Sequence, residues 1–253
     1  MSDRGGSVPR VTPARRPAAS TGTASTGTAS TGTGPARAAG PAVPRPPSLP
    51  AEARLVESLA DDDILSGAEL TGLDLSGAEL RGAELSRCAV RALEAPDAHL
   101  TRVPLTDVEI TRSNLSNARW ASSSFTRVVL SGCRLTGLDL SGLRARDLAV
   151  TDCRADLARL RGARLSTSAF VDCDLRQADL SEADLRGTTF RGCDLTGALL
   201  HGAMMSGAWL VDCRLGGVGG AAALRGATIS ARDLASLAFS LAGALGITIA
   251  ELD

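Results

Sequence analysis

Six cysteines and two histidines are the residues of this 253-residue chain best suited to metal or nucleophilic chemistry. Of Cys88, Cys133, Cys153, Cys173, Cys193 and Cys213, the last five recur every twenty residues. A zinc site needs ligands that converge from several directions, commonly as CxxC pairs, and no such pair occurs. A disulfide needs two side chains turned toward each other, whereas a regular row of equivalents points in parallel. The cysteines therefore read as small buried hydrophobes, and free thiols point to a reducing, cytoplasmic compartment. His99 and His201 are too far apart in any regular repeat to share a site. The chain contains no GxxxxGK[ST], HExxH or dinucleotide fingerprint. The expectation is a protein without catalytic residues, cofactor or metal.

What must position the cysteines is a frame of five. From Asp63 to Leu215 a bulky apolar residue recurs at Leu65, Leu70, Leu75, Leu80 and Leu85, and onward to Leu195, Leu200, Met205, Leu210 and Leu215, without an insertion. All six cysteines stand two positions before such a centre, where Ala68, Ala78, Ala83, Ala178 and Ala183 also stand. The residue between is usually polar, as at Glu69, Asp74, Glu79, Asp174, Asp179 and Asp184. A period of five fits neither a 3.6-residue helix nor long strand alternation. Within each unit, however, residues i and i+2 of a short extended segment point the same way. The remaining two positions are rich in Gly, Ser, Thr and Arg, which suits a tight corner. Four short sides close a square, the next coil stacks on it, and fixed-period self-similarity of this kind marks a solenoid.

Units such as SGAEL, TGLDL, VDCDL and SEADL resemble the pentapeptide-repeat family over about three-fifths of the chain. The resemblance implies an all-β solenoid, a right-handed quadrilateral β-helix of seven to eight coils with short capping helices at both ends. At roughly 4.8 Å per coil it would be about 35 Å long. Its well-understood bacterial members bind DNA gyrase and topoisomerase IV by mimicking duplex DNA, and protect them from quinolones or toxins. They also pair through their C-terminal ends.

Four regions follow. Residues 1–47, with STGTASTGTASTGTG and a Pro- and Ala-rich run, carry six arginines against Asp3 and read as a disordered basic tail. Residues 48–62 read as an N-terminal cap, with a short helix over Ser48 to Ala60 whose apolar face is Leu55, Val56 and Leu59. Residues 63–229 are the β-helix, predicted to be least regular from Ser86 to Leu130, where Pro96 and Pro104 fall. Residues 230–253 read as a capping or dimerisation helix with Ser230 and Asp233 as its capping box, ended by Gly246 and followed by a terminal strand over Ile247 to Leu252. No apolar run is long enough to span a membrane.

Two surfaces stand out as candidates for a protein partner. The first coils are acidic, at Asp63, Glu69, Asp74, Glu79 and Glu84. A belt farther on is basic, with Arg144, Arg146, Arg159, Arg161 and Arg164, and Arg154 beside them. A third patch is apolar at outward positions, Leu199, Met204 and Trp209. It predicts a cap or homodimer seam together with Leu234, Leu237 and Leu241 of the last helix. Residues 51–253 hold 27 acids and 21 arginines. That mild acidity, interrupted by the belt, favours a rigid protein-binding scaffold over a DNA mimic acting on gyrase or topoisomerase. Direct nucleic-acid binding is disfavoured, since stacking aromatics and positive charge are both missing.

Overall fold

The computed structural model describes residues 40–41 and 43–250, so most of the expected tail lies outside the described residues. Strands follow one another in short sides. β1 (Arg54–Val56), β2 (Ile64–Ser66), β3 (Ala68–Thr71), β4 (Glu79–Arg81) and β5 (Glu84–Arg91) come first. Then come β6 (His99–Thr101), β7 (Leu105–Thr111), β8 (Arg119–Ala121), β9 (Ser124–Ser131) and β10 (Arg144–Thr151). Among the described residues β11 (Arg164–Ser166), β12 (Ala169–Val171), β13 (Thr189–Arg191), β14 (Trp209–Val211) and β15 (Thr228–Ile229) follow, before one α-helix, α1 (Leu234–Ala244).

Among the described residues every strand pair is parallel, and from Asp63 to Leu215 residue i lies beside residue i+20, as in Leu105↔Phe125 and Phe170↔Phe190; the last pair, Trp209↔Thr228, is offset by one. Isolated bridges tie the remaining sides in the same register, for example Asp74↔Glu94 and Asp139↔Arg159. The result is a four-sided parallel β-solenoid of about 8 turns. Its sides are named here by their centres: A carries Leu65, Leu85 and Leu105, B carries Leu70, Val90 and Ile110, C carries Leu75, Ala95 and Leu115, and D carries Leu80, Leu100 and Trp120. From Leu80 onward the centres and the residues two before them are almost all buried, forming one continuous core.

The fifth residue of a unit turns the corner with a left-handed backbone. Glycine adopts it without strain at Gly67 (φ 65°) and Gly187 (φ 71°), but Arg87, Asp107, Arg127 and Asp147 hold φ between 52° and 56° at the same A/B corner. A left-handed non-glycine residue costs about 1 kcal/mol. Here those four residues coincide with β5, β7, β9 and β10, which run through the corner as single strands of seven or eight residues. Where Gly67 or Thr167 stands instead, two strands of three or four residues flank the corner. The stretch Ser86–Leu130 is therefore more regular than predicted, because Val108, Ile110, Val128 and Val129 supply β-branched side chains that favour a continuous ladder.

The two ends close differently from each other, and the first differs from expectation. No helix forms over Ser48–Ala60; β1 instead lies parallel beside β3, Arg54↔Ala68 to Val56↔Leu70. The open first coil presents unpaired backbone groups that a strand satisfies and a helix cannot, and a helix this short has little stability of its own. Of the expected apolar face, Val56 and Leu59 pack against the core, while Leu55 points away because the strand alternates its side chains and is left exposed.

At the other end α1 drives Leu237 fully into the core and half-buries Leu241, leaving Leu234 56% exposed. Asp233, not Ser230, is its N-cap residue, and its side chain makes no capping bond. It accepts the Cys213 N–H at 2.8 Å instead. Gly246 (φ 71°) follows the helix in the left-handed conformation, as predicted. Ile247–Ala250 form no strand, and Leu252 lies outside the described residues.

Candidate functional site

The cysteine row is structural. Cys133, Cys153, Cys173, Cys193 and Cys213 are all buried and free, stacked on the inner wall of side C. Each sulfur lies within reach of two backbone carbonyls, as Cys153 does with Thr151 O at 3.2 Å and Leu130 O at 3.6 Å. Ser113 begins the row by accepting the Leu93 N–H at 3.0 Å, and Asp233 ends it by accepting that of Cys213 at 2.8 Å. Hydrogen bonding between neighbouring sulfurs divides the row: together with burial it pushes the Cys153 and Cys193 thiols up, and it pulls those of Cys133, Cys173 and Cys213 down. Burial of all five keeps them out of reach of a substrate. Among the described residues no group of three His, Cys, Asp or Glu side chains could hold a metal, and no helix is long and apolar enough to cross a membrane.

The acidic candidates do not form one patch. Asp63 and Glu84 belong to side A, Glu69 to B, Asp74 to C and Glu79 to D, so the fold distributes them around the first coils. Most are locally engaged. Asp63 accepts the Ala60 N–H at 2.8 Å. Glu69 pairs with Arg91 at 3.3 Å and Glu79 with Arg81 at 2.7 Å. Asp74 accepts the Ser76 hydroxyl and N–H, which hold its carboxyl below the usual range. This local bracing by the residue two positions on recurs at Asp139, Asp174, Asp179, Asp184 and Asp194. The outward aspartates thus stabilise their own turns.

The arginine belt divides. On side C, Arg154 pairs with Asp156 at 3.0 Å. On side D, Arg159 faces Asp139 at 3.9 Å, and Arg161 bridges Asp179 at 3.2 Å and Glu182 at 2.9 Å. Arg144, Arg146 and Arg164 fall together on side A and form no ion pair among the described residues. Their register is Arg144↔Arg164 and Arg146↔Ser166, with Ser124 and Thr126 one coil earlier. Like charges stacked one coil apart repel. They line a depression of about 310 Å³ together with hydroxyls from Ser124, Thr126 and Ser166 and with one carboxylate, Asp184, which stands one coil beyond Arg164. Ser124 and Arg144 also border a neighbouring depression of about 710 Å³ that adds Arg102, Ser122 and Ser123. Of the other arginines without an ion pair, Arg112 stands on side B, Arg119 stacks on Asp139 on side D, and Arg134 stacks on Arg154 on side C, where Asp156 neutralises the latter.

The apolar candidates stay on three sides. Leu199 (39% exposed) and Met204 (47% exposed) are not covered by α1, while Trp209 is half-buried between Thr189 and Thr228 in the side B ladder.

A second set of residues was missed by the sequence reading. The A/B corner presents Arg87, Asp107, Arg127 and Asp147 in successive coils, alternating in sign. Arg127 grips Asp107 through two bonds of 2.6 Å. Asp107 also accepts the Ser48 N–H at 2.9 Å, and Asp147 accepts the Arg45 N–H at 3.3 Å. The Arg127 hydrogen bonds hold the Asp107 carboxyl below the usual range against the opposing effect of burial. The last residues assigned to the basic tail, and those assigned to an N-terminal helix, thus lie along the corner of the solenoid. The signal available in the sequence was the charge at every twentieth residue of the corner position, where glycine is otherwise frequent.

A parallel four-sided solenoid with a five-residue frame, braced aspartates and no reactive cluster defines a class of repeat protein. The model for pentapeptide repeats matches residues 64–91 and 97–142, and that for a pentapeptide repeat region matches residues 123–200. The chain belongs to the pentapeptide-repeat family. No curated protein matches it. Among solved structures it is similar to HetL, a pentapeptide repeat protein involved in heterocyst differentiation regulation from the cyanobacterium Nostoc, at 22% identity over 66% of this chain and 85% of that one, with a TM-score of 0.30. It is also similar to full-length QnrB1, a plasmid-mediated fluoroquinolone resistance protein, at 21% identity over 72% of this chain and 96% of that one, with a TM-score of 0.35.

Proposed function

We propose that the protein is a rigid, non-enzymatic scaffold that binds a protein partner through side A, where Arg144, Arg146 and Arg164 meet its anionic groups. The observation that carries this reading is the excess positive charge: three arginines in two coils share one carboxylate, Asp184, already paired with Arg186 at 2.7 Å, in a concave, largely hydroxyl-lined setting, and an acidic surface relieves their repulsion on docking. Planar guanidinium groups suit bidentate pairing with carboxylates. The test is a photo-crosslinking residue at Ser166 on side A and, separately, at Thr196 on side C, in cells of the source organism. A discrete adduct from position 166 and none from 196 supports the reading; equal adducts from both overturn it.

DNA mimicry toward gyrase needs a continuous anionic column, and each side lacks one. Side D, for instance, reads Glu79, His99, Arg119, Asp139, Arg159, Asp179 and Leu199 at successive outward positions. A gyrase supercoiling assay with and without a quinolone separates the two functions. Inhibition or drug rescue would replace the side A reading with the mimic.

A homodimer through the C-terminal end is part of the proposal, supported by exposed Leu199, Met204, Leu234 and Phe239. Met204→Asp with Leu234→Asp gives a soluble monomer by sedimentation; an unchanged oligomer removes the seam.

A further inference from the structure

Between Pro44 and Pro50 the chain follows a three-residue rhythm against the A/B corner. Pro44, Pro47 and Pro50 are half-buried, as is Leu49 beside the last of them, while Val43, Arg45, Pro46 and Ser48 are exposed. Pro50 approaches the corner at Gly67, 3.7 Å from where a side chain there would begin. The N–H groups that reach the rod belong to Arg45 and Ser48, again three apart, and they meet Asp147 and Asp107, two coils apart. A polyproline helix has three residues per turn and rises about 3.1 Å per residue, so one turn covers roughly 9.3 Å. Two coils stack over roughly 9.6 Å. The two lattices match, so each turn of the peptide can present one proline and one N–H donor to every second coil.

The site is built rather than incidental. Asp107 and Asp147 are only 7% and 4% exposed. Arg127, in the coil between them, fixes the Asp107 carboxylate through both of its oxygens, leaving Oδ1 to accept the peptide N–H as well. Intervening Pro46 and Pro47 have no N–H, so no donor is stranded between the two bonds. Proline also restricts the free segment, which lowers the entropy lost on docking.

We propose that the A/B corner is a polyproline-recognition site, latched by the chain's own residues 43–50, which a Pro-x-x-Pro segment of a partner protein enters in the same register by displacing them. Recognition rests on two main-chain N–H donors, each following a proline that faces the rod, and on the Asp107–Asp147 spacing. It is independent of the arginines of side A. Because the resident segment is tethered, its effective concentration is of millimolar order, and an outside peptide binds the unaltered protein weakly.

The test uses the full chain and a fluorescent peptide of sequence VPRPPSLP. Pro44→Gly with Pro47→Gly loosens the resident segment without touching the corner, and peptide affinity, read by anisotropy, rises at least tenfold over the unaltered protein. Adding Asp107→Ala and Asp147→Ala to that variant abolishes the gain. Should those substitutions also disturb the fold, the same peptide N-methylated at the positions of Arg45 and Ser48 gives the decision on the folded, loosened protein, where it binds at least tenfold more weakly than the parent peptide. No gain on loosening the latch, or equal binding of the N-methylated peptide, overturns the proposal.

Discussion

Arg144, Arg146 and Arg164 on side A and Arg154, Arg159 and Arg161 on sides C and D share one short stretch of sequence and opposite electrostatic fates. The second group has carboxylates at 2.9 to 3.9 Å; the first has Ser124, Thr126 and Ser166 beside Arg144 and Arg146, and beside Arg164 only Asp184, which already pairs with Arg186 at 2.7 Å. For Arg159 and Arg161 the neighbour that matters is in the adjacent coil, whereas Arg154 finds its partner two residues on. A basic belt in the sequence is therefore two surfaces in the molecule, one neutralised and one free to attract a partner. A third arrangement, the Arg127–Asp107 pair at the A/B corner, is drawn further out of water, its side chains 33% and 10% exposed. Arginine on this solenoid thus serves attraction, surface neutralisation or anchoring, according to what the adjacent coil offers.

Reversing the free group should have the largest effect. Arg144→Glu, Arg146→Glu and Arg164→Glu together reduce crosslinked partner at position 166 by about a hundredfold, since like charges across an interface cost several kcal/mol. Replacing Arg154, Arg159 and Arg161 by alanine leaves the yield within about twofold. A similar loss from both triple variants would erase the distinction between the two groups.

The anchoring pair comes next. Asp107→Asn costs about 2 kcal/mol in urea unfolding at pH 7, the scale of a hydrogen-bonded charged pair. The Asp107 carboxyl is held below its ordinary value when folded, so its contribution is full above the unfolded value of about 3.9 and is lost as pH falls through the lower folded one. The Asn variant accordingly loses stability less steeply than the parent below about pH 4. An identical acid limb would show that the pair does not contribute.

Smaller still, Asp139→Asn weakens a long pair on an exposed side, and its cost stays below about 1 kcal/mol. A larger loss would point instead to the turn-bracing bond that Asp139 makes to the Ser141 N–H at 3.0 Å. The converse change, Ser124→Glu, places an acid one coil from Arg144 in the observed register. It should stabilise by a few tenths of a kcal/mol while reducing the crosslink at position 166, thereby converting the free group into the neutralised kind.

Much of this architecture is legible in the sequence because a solenoid is nearly one-dimensional. A five-residue frame fixes which side chains enter, where corners fall and which residue stacks on which, through contacts at a constant separation of twenty. That is why the buried cysteine row and the four sides followed from spacing, whereas of the apolar stripe expected on the last helix Leu237 is buried and Leu241 half-buried, and Leu234 and Leu245 are exposed. Residues 48–60 did not follow, since their apolar spacing is compatible with a short helix and only the exposed edge of β3 makes a strand the better partner. Asp233 was likewise misassigned: as a local signal it belongs to a helix cap, yet the end of the cysteine row offers it a backbone donor that needs an acceptor. Nor could the sequence place Arg45 and Ser48 on the A/B corner, because their partners, 102 and 59 residues away, obey no repeat. The sequence by itself determined the frame, the core and the stacking order, all consequences of periodic burial. Only the tertiary structure decided which charges are neutralised and where the N-terminal segment lies, because those depend on contacts between coils and across the frame that periodicity does not encode.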